Sequence, residues 1–282
     1  MNTSKKLPLR NYLLAWSLIL VTALGFFLCY TYIKEHGTPR DRERKKIAAM
    51  NGLISQGKQL YKQQRYDEAL VVLEKARVPE LQLGPDRASG AETTINRIHF
   101  IQGEYAKAIK VLNELLDRTG RRLESEEDEY LKYKAFLDFQ VTGEKKNVYD
   151  YIDYINKKYE DLVPPKGADP WYVAILVHVY DALGDYDSGI KLIDDVFLLI
   201  ASKDPTYSRP ESSAHAEVLM KEEKASGKSS YSHKIEREYL LIREAFEQDK
   251  AEGKKGCVGK KPGEVCLGRA TQALIQSDYF PW

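Results

Sequence analysis

Residues 63–76 read QQRYDEALVVLEKA. The frame is a turn, an aromatic, a small residue three positions later, then aliphatics at helical spacing. It returns as GEYAKAIKVLNELL from Gly103 and as GDYDSGIKLIDDVF from Gly184. Tyr66, Tyr105 and Tyr186 are the aromatics, Ala69, Ala108 and Gly189 the small residues, and Leu73, Leu112 and Ile193 the following aliphatics. A fainter copy, GEKKNVYDYIDYI from Gly143, puts Lys145 at the aromatic position and Val148 at the small one. From small position to small position the steps are 39, 40 and 41 residues, too regular for coincidence.

Each frame follows another helical stretch, at 48–63, 91–102, 126–141 and 169–183. Helix, short turn, helix, repeated, predicts an all-α stack of helical hairpins, because one hairpin alone cannot bury its apolar face. The pattern resembles the tetratricopeptide repeat (TPR) family over residues 48–201. The family's small residue near the middle of the first helix is matched by Gly57, whereas Asn96, Phe136 and Val177 hold that place in the later units. The step also exceeds the family's usual 34 residues or so, so longer loops are expected at 81–90 and 163–170.

The resemblance implies a TPR-like α-solenoid whose first helices line a concave face. The matching positions are Asn51, Lys58 and Tyr61, then Thr93, Arg97 and Phe100, then Tyr130 and Tyr133, then Trp171 and His178. Rings mixed with hydrogen-bond donors suit an extended peptide or a helix lying in a groove. Family members that grip a carboxylate use a Lys/Asn/Arg clamp. Lys58 and Arg97 are the nearest equivalents here, but the partnering asparagines do not fall into place, so chaperone binding is not expected.

After the array, DPTYSRPESS (204–213) is a linker by composition. Two further helices, the longer from Tyr231 to about Lys254, and a last short one within CLGRATQALIQSDYF are expected to cap the open end across 204–282.

Ahead of the array, residues 11–33, NYLLAWSLILVTALGFFLCYTYI, contain no charge. As a helix they span roughly 34 Å, enough to cross a hydrocarbon core. Tyr12 and Trp16 near one end and Tyr30 and Tyr32 near the other suit the interfaces. A cleaved signal peptide is the alternative, but the run is long for one and no small-x-small site follows. The expected order is a basic tail (1–10), a transmembrane anchor (11–33), a charged juxtamembrane linker (34–47), the array (48–203) and the cap (204–282).

Sidedness draws on opposed signals. Six Lys/Arg follow the span within 34–46 and three precede it, which favours a cytoplasmic body. A short basic start running into an apolar stretch looks instead like an uncut export signal. Cys257 and Cys266, in GCVGKKPGEVCLG, stand in a glycine- and proline-rich turn and are expected to form a disulfide, which needs an oxidising compartment. Two free thiols, or a metal lacking its remaining ligands, are the alternatives. Together these place the body outside the cytoplasm.

Chemistry is sparse. With 43 Lys plus Arg against 42 Asp plus Glu, the net charge of +1 leaves no basic excess for nucleic acid. None of the five histidines has a second His or a Cys three or four residues away, and no P-loop, GxGxxG, GxSxG or HExxH appears. Ser55 and Lys58 match SxxK only within a repeat helix. The acidic run 124–129 precedes a helix start, where it offsets the helix dipole. Lys254, Lys255, Lys260 and Lys261 form a basic knob that reads as a solvated loop. No cofactor, metal or small-molecule substrate is expected. The reading is a non-enzymatic, membrane-tethered scaffold that docks protein partners of a cell-envelope complex. The alternative is a cytoplasm-facing adaptor that recruits soluble enzymes to the membrane.

Overall fold

The computed structural model describes residues 9–77, 89–119, 124–204, 206–227, 229, 231–257, 260–277 and 279–280. Most of the basic tail, of the expected loop at 81–90 and the last two residues lie outside the described residues. Every regular element among the described residues is an α-helix: α1 (Leu9–His36), α2 (Pro39–Lys62), α3 (Tyr66–Ala76), α4 (Ser89–Ile101), α5 (Tyr105–Thr119), α6 (Glu124–Thr142), α7 (Lys146–Lys158), α8 (Pro170–Leu183), α9 (Tyr186–Lys203), α10 (Ser213–Ala225), α11 (Tyr231–Ala251) and α12 (Arg269–Gln276).

Helix α1 carries the uncharged run, with Leu18, Phe26 and Phe27 exposed. It is long and apolar enough to cross a membrane. The stretch 34–47, expected as a linker, is instead helical on both sides of a two-residue joint. Pro39 stands at the first position of α2, the Thr38 hydroxyl accepts the Asp41 N–H at 3.1 Å, and the Asp41 carboxylate accepts the Thr38 N–H at 3.1 Å. This capping box satisfies helix-end donors on both sides, so the charged residues start a helix.

Helices α2–α3, α4–α5, α6–α7 and α8–α9 pack pairwise. Connections of two or three residues make each pair antiparallel. Gly103, Gly143 and Gly184 turn these corners with φ of 65°, 74° and 67°. The first unit makes the same turn with Gln64 at φ 60°, where a Cβ is strained. Gln64→Gly is therefore expected to raise stability by about 0.5–1 kcal/mol, measured as a higher urea midpoint at unchanged slope.

The repeat's own positions are core. Ala69, Ala108 and Val148 are fully buried, and Tyr66, Tyr105 and Tyr186 close the turns. Lys145, which replaces the aromatic in the third unit, donates to the Leu183 carbonyl at 2.7 Å. It thus caps the C-terminal end of α8, where a cation is favoured. Gly57 admits Leu73 so closely that an added Cβ would stand 2.5 Å from its methyl carbon.

The C-terminal helices divide their work. Helix α11 covers α9, laying Phe246 over Gly189, where an added Cβ would stand 2.5 Å from the ring, and Arg243 on Asp194 at 2.9 Å. The remainder turns back along the array. Gly263 and Cys266 donate backbone N–H groups to the carbonyls of Gln102 and Ile101, at 2.8 and 2.5 Å, and Cys257 donates to that of Ala182 at 2.7 Å. These satisfy orphan carbonyls at the ends of α4 and α8. Helix α12 then packs on α8 and α11, and its Ile275 joins the core formed by α2–α5. Asp181 of α8 accepts the Thr271 N–H at 2.9 Å and its hydroxyl at 2.5 Å, and burial pushes the Asp181 carboxyl up to about 6.

Cys257 and Cys266 form a disulfide within this strap, with Cα atoms 5.4 Å apart and both residues buried. It holds the strap's shape while the backbone ties the second and fourth hairpin turns together. Closing a loop of this length is worth about 2–3 kcal/mol in the chain-entropy model. Replacing both cysteines by serine is expected to lower stability by that amount. A reductant should lower the urea midpoint of the native chain and leave that of the serine variant unmoved.

Candidate functional site

Three first helices, α4, α6 and α8, converge on Phe100. Its ring centroid lies 4.8 Å from Phe136, 5.7 Å from Tyr133 and 4.2 Å from the His178 ring, with Tyr105 at 5.2 Å. The groove expected between these helices is therefore filled here. Phe100 and His178 are core residues rather than lining, Tyr133 is buried against them, and Tyr61 is likewise buried, in the core of the first hairpins. Packed this tightly, the facing helices leave no room for a ligand at the level of Phe100.

What stays open is a cleft of about 360 Å³ toward the starts of the same helices, away from the hairpin turns. Thr93, Asn96, Arg97 and Glu92 of α4, Leu112 and Leu115 of α5, Glu126, Glu129 and Tyr133 of α6, and Trp171 of α8 line it. Four positions predicted from the repeat, Thr93, Arg97, Tyr133 and Trp171, are thus brought together. Thr93 is exposed at the rim, Trp171 is half-buried, and Arg97 is buried. Asn51 and Lys58 are exposed on α2 and do not line this cleft, and neither does the half-buried Tyr130.

Buried charge backs the cleft. Lys132, fully buried, lies 2.6 Å from Glu129 Oε2, and its ammonium stands 5.2 and 4.9 Å from the Phe100 and Tyr133 ring centroids. Burial lowers the Lys132 pKa, with Glu129 opposing the shift. Burial alone would raise the Glu129 carboxyl, but the Lys132 ammonium, the Tyr133 hydroxyl and Arg97 together hold it below its usual range. His178 is pushed well below its ordinary value by burial and by the two nearby cations, so it stays neutral. On the α3 side, Glu92 faces Arg77 at 3.5 Å, and Arg77 also binds Glu114 at 2.7 Å.

The polar feature turned toward an incoming group is Asn96. Its side chain is 3% exposed and its Oδ1 accepts no hydrogen bond. A buried acceptor left unmade costs about 1–3 kcal/mol. That cost is recovered when a ligand supplies an N–H or O–H. The sequence singled out Asn96 only as a departure from the small-residue position.

Asp128 was likewise hidden in the acidic run. It is fully buried and accepts from Tyr154, Lys158 and Tyr159 at 3.0, 2.7 and 2.5 Å, tying α7 to α6. In the basic knob Lys254 is held by Asp249 at 2.7 Å. Among the described residues no cluster of three or more His, Cys, Asp or Glu side chains is arranged to hold a metal ion. In comparisons with known proteins, no family model, no curated protein and no solved structure matches this chain.

Proposed function

We propose that the chain is a non-enzymatic docking scaffold, tethered by α1, whose TPR-like solenoid holds a segment of a partner protein in the cleft between α4, α6 and α8. The observation that carries this reading is the buried, unengaged Asn96 acceptor in a cleft whose rim offers Thr93 and Trp171. A backbone or side-chain N–H of a bound segment satisfies that acceptor, and the indole packs its apolar portion. The anchor confines the cleft to the membrane plane and raises its effective concentration near membrane-bound partners. The Cys257–Cys266 disulfide supports a body on the extracytoplasmic side, at an envelope complex.

A photo-crosslinking residue at Thr93 is expected to give a discrete protein adduct in native membranes. The same residue at Val218, exposed on α10, should give none. Asn96→Leu should abolish the Thr93 adduct while leaving thermal stability unchanged or higher, because it removes an unmet acceptor. Equal labelling at both sites, or an adduct indifferent to Asn96→Leu, would refute the cleft as the docking site.

The cytoplasm-facing adaptor is favoured by one observation, the excess of Lys and Arg after the span. A membrane-impermeant thiol label separates the two. With Cys29 removed, reduction-dependent labelling of cells with only the outer barrier opened means an extracytoplasmic body. Labelling that needs no reductant, and needs the inner membrane breached, means the adaptor.

A further inference from the structure

We infer that the first two turns of α2 form a collar that binds the phosphate groups of anionic lipids around the anchor. This rests on α1 being the membrane anchor and is independent of which partner the cleft holds. Arg40, Arg44, Lys45 and Lys46 are all exposed on this segment. Among the described residues no carboxylate lies within ion-pair distance of any of the four. Two acids interleave with them: Asp41 has its carboxylate engaged by the Thr38 hydroxyl at 2.6 Å and the Thr38 N–H at 3.1 Å, and with Glu43 it leaves residues 39–46, which hold five Lys/Arg, at a net charge of +3. None of the four cations serves the array, since burial on α2 begins at Met50.

Their position follows from the joint. Only Gly37 and Thr38 separate α1 from α2, so the first turn of α2 starts within roughly 11 Å of the end of α1. Arg42 keeps it there, donating to the Tyr32 hydroxyl at 3.1 Å with its guanidinium 5.5 Å from the Tyr32 ring centroid. Residues 39–46 rise roughly 12 Å along the helix. The interfacial layer is roughly 5–8 Å deep on each side of the hydrocarbon core, so this segment stands in or beside it. At roughly 100° per residue the four cations point around the helix rather than to one side, which suits a ring of headgroups better than one flat partner. Each cation near an anionic surface is worth roughly a fivefold gain in binding.

The test is lipid retention. Full-length protein is reconstituted in phosphatidylcholine bilayers with phosphatidylglycerol, extracted in neutral detergent, and the co-purified lipid is counted by native mass spectrometry. The wild type is expected to retain phosphatidylglycerol over phosphatidylcholine by at least tenfold relative to the starting mixture, and high salt to remove the preference. Replacing Arg40, Arg44, Lys45 and Lys46 by Gln together should abolish it, and exchanging Arg for Lys and Lys for Arg at the same sites should restore it. Equal retention of the two lipids, or a Gln variant that keeps the preference, overturns the inference. Carbonate extraction of the same membranes reads the anchor separately. A chain washed off there refutes the anchor reading, whereas a chain that stays embedded without lipid preference refutes only the collar.

Discussion

Phe100→Ala is expected to cost about 3–5 kcal/mol, the range for removing a buried aromatic ring. The residue is fully buried on α4, and its ring meets side chains from α5, α6 and α8 at once. Truncation leaves a void that four helices cannot close together, because each is also held at its hairpin turn. Urea unfolding followed by circular dichroism should show a lower midpoint. Phe100→Leu, which keeps most of the volume, should show a much smaller shift. A loss below about 1 kcal/mol for the alanine variant would mean that the first helices do not meet at this ring. Crosslinking from Thr93 should also fall in the alanine variant, since Tyr133 of the cleft wall rests on Phe100.

Lys132→Met is expected to cost a similar amount, about 3–5 kcal/mol, by leaving Glu129 without its direct partner in a buried setting. Adding Glu129→Gln should recover most of the loss, because removing both charges avoids the unpaired carboxylate. The pH dependence gives the sign. In the native chain the Glu129 carboxyl is held below its unfolded value, so its contribution is present above that value and is lost as pH falls through the folded one. Without the ammonium the folded value rises, and the single variant should regain stability relative to wild type as pH is lowered from 7 toward 5. A single variant whose deficit is unchanged across that range would show that the ion pair carries no such weight. Because Lys132 also lies over the Phe100 ring, the Phe100 and Lys132 losses should add less than fully.

The helices themselves were legible because they rest on local rules. Tyr66, Ala69 and Leu73 repeat at helical spacing, and the same residues bury the hairpins. Gly103, Gly143 and Gly184 occupy the left-handed corners that the turns require. Even the departure at Lys145 has its reason in place, an ammonium that reaches the Leu183 carbonyl at the end of α8. The charged stretch after the uncharged run misled only as to its form. Thr38, Pro39 and Asp41 carry a capping signal that the density of charge concealed.

The candidate site was only half legible. Helical spacing placed Thr93, Arg97 and Phe100 on one face of α4, but spacing does not say how close the neighbouring helices come. Where they close to contact, Phe100 and His178 become core; where they splay, Thr93 and Trp171 stay at a rim. Asn96 was passed over because its meaning depends on an acceptor left unmet, which no single helix reveals. The strap from Gly256 through α12 belongs to the same class. Its amides meet the carbonyls of Ile101, Gln102 and Ala182 from residues 75 to 165 positions further along the chain.

By itself, then, the sequence determined the long uncharged run, the hairpin repeat, its turns and the cysteine pair, since each is set by residues close to one another in the chain. The tertiary structure alone decided which first-helix residues are core, where the cleft opens and that the C-terminus clasps the array. Those depend on distances between helices, which arise from the packing of all of them together and are encoded in no single stretch.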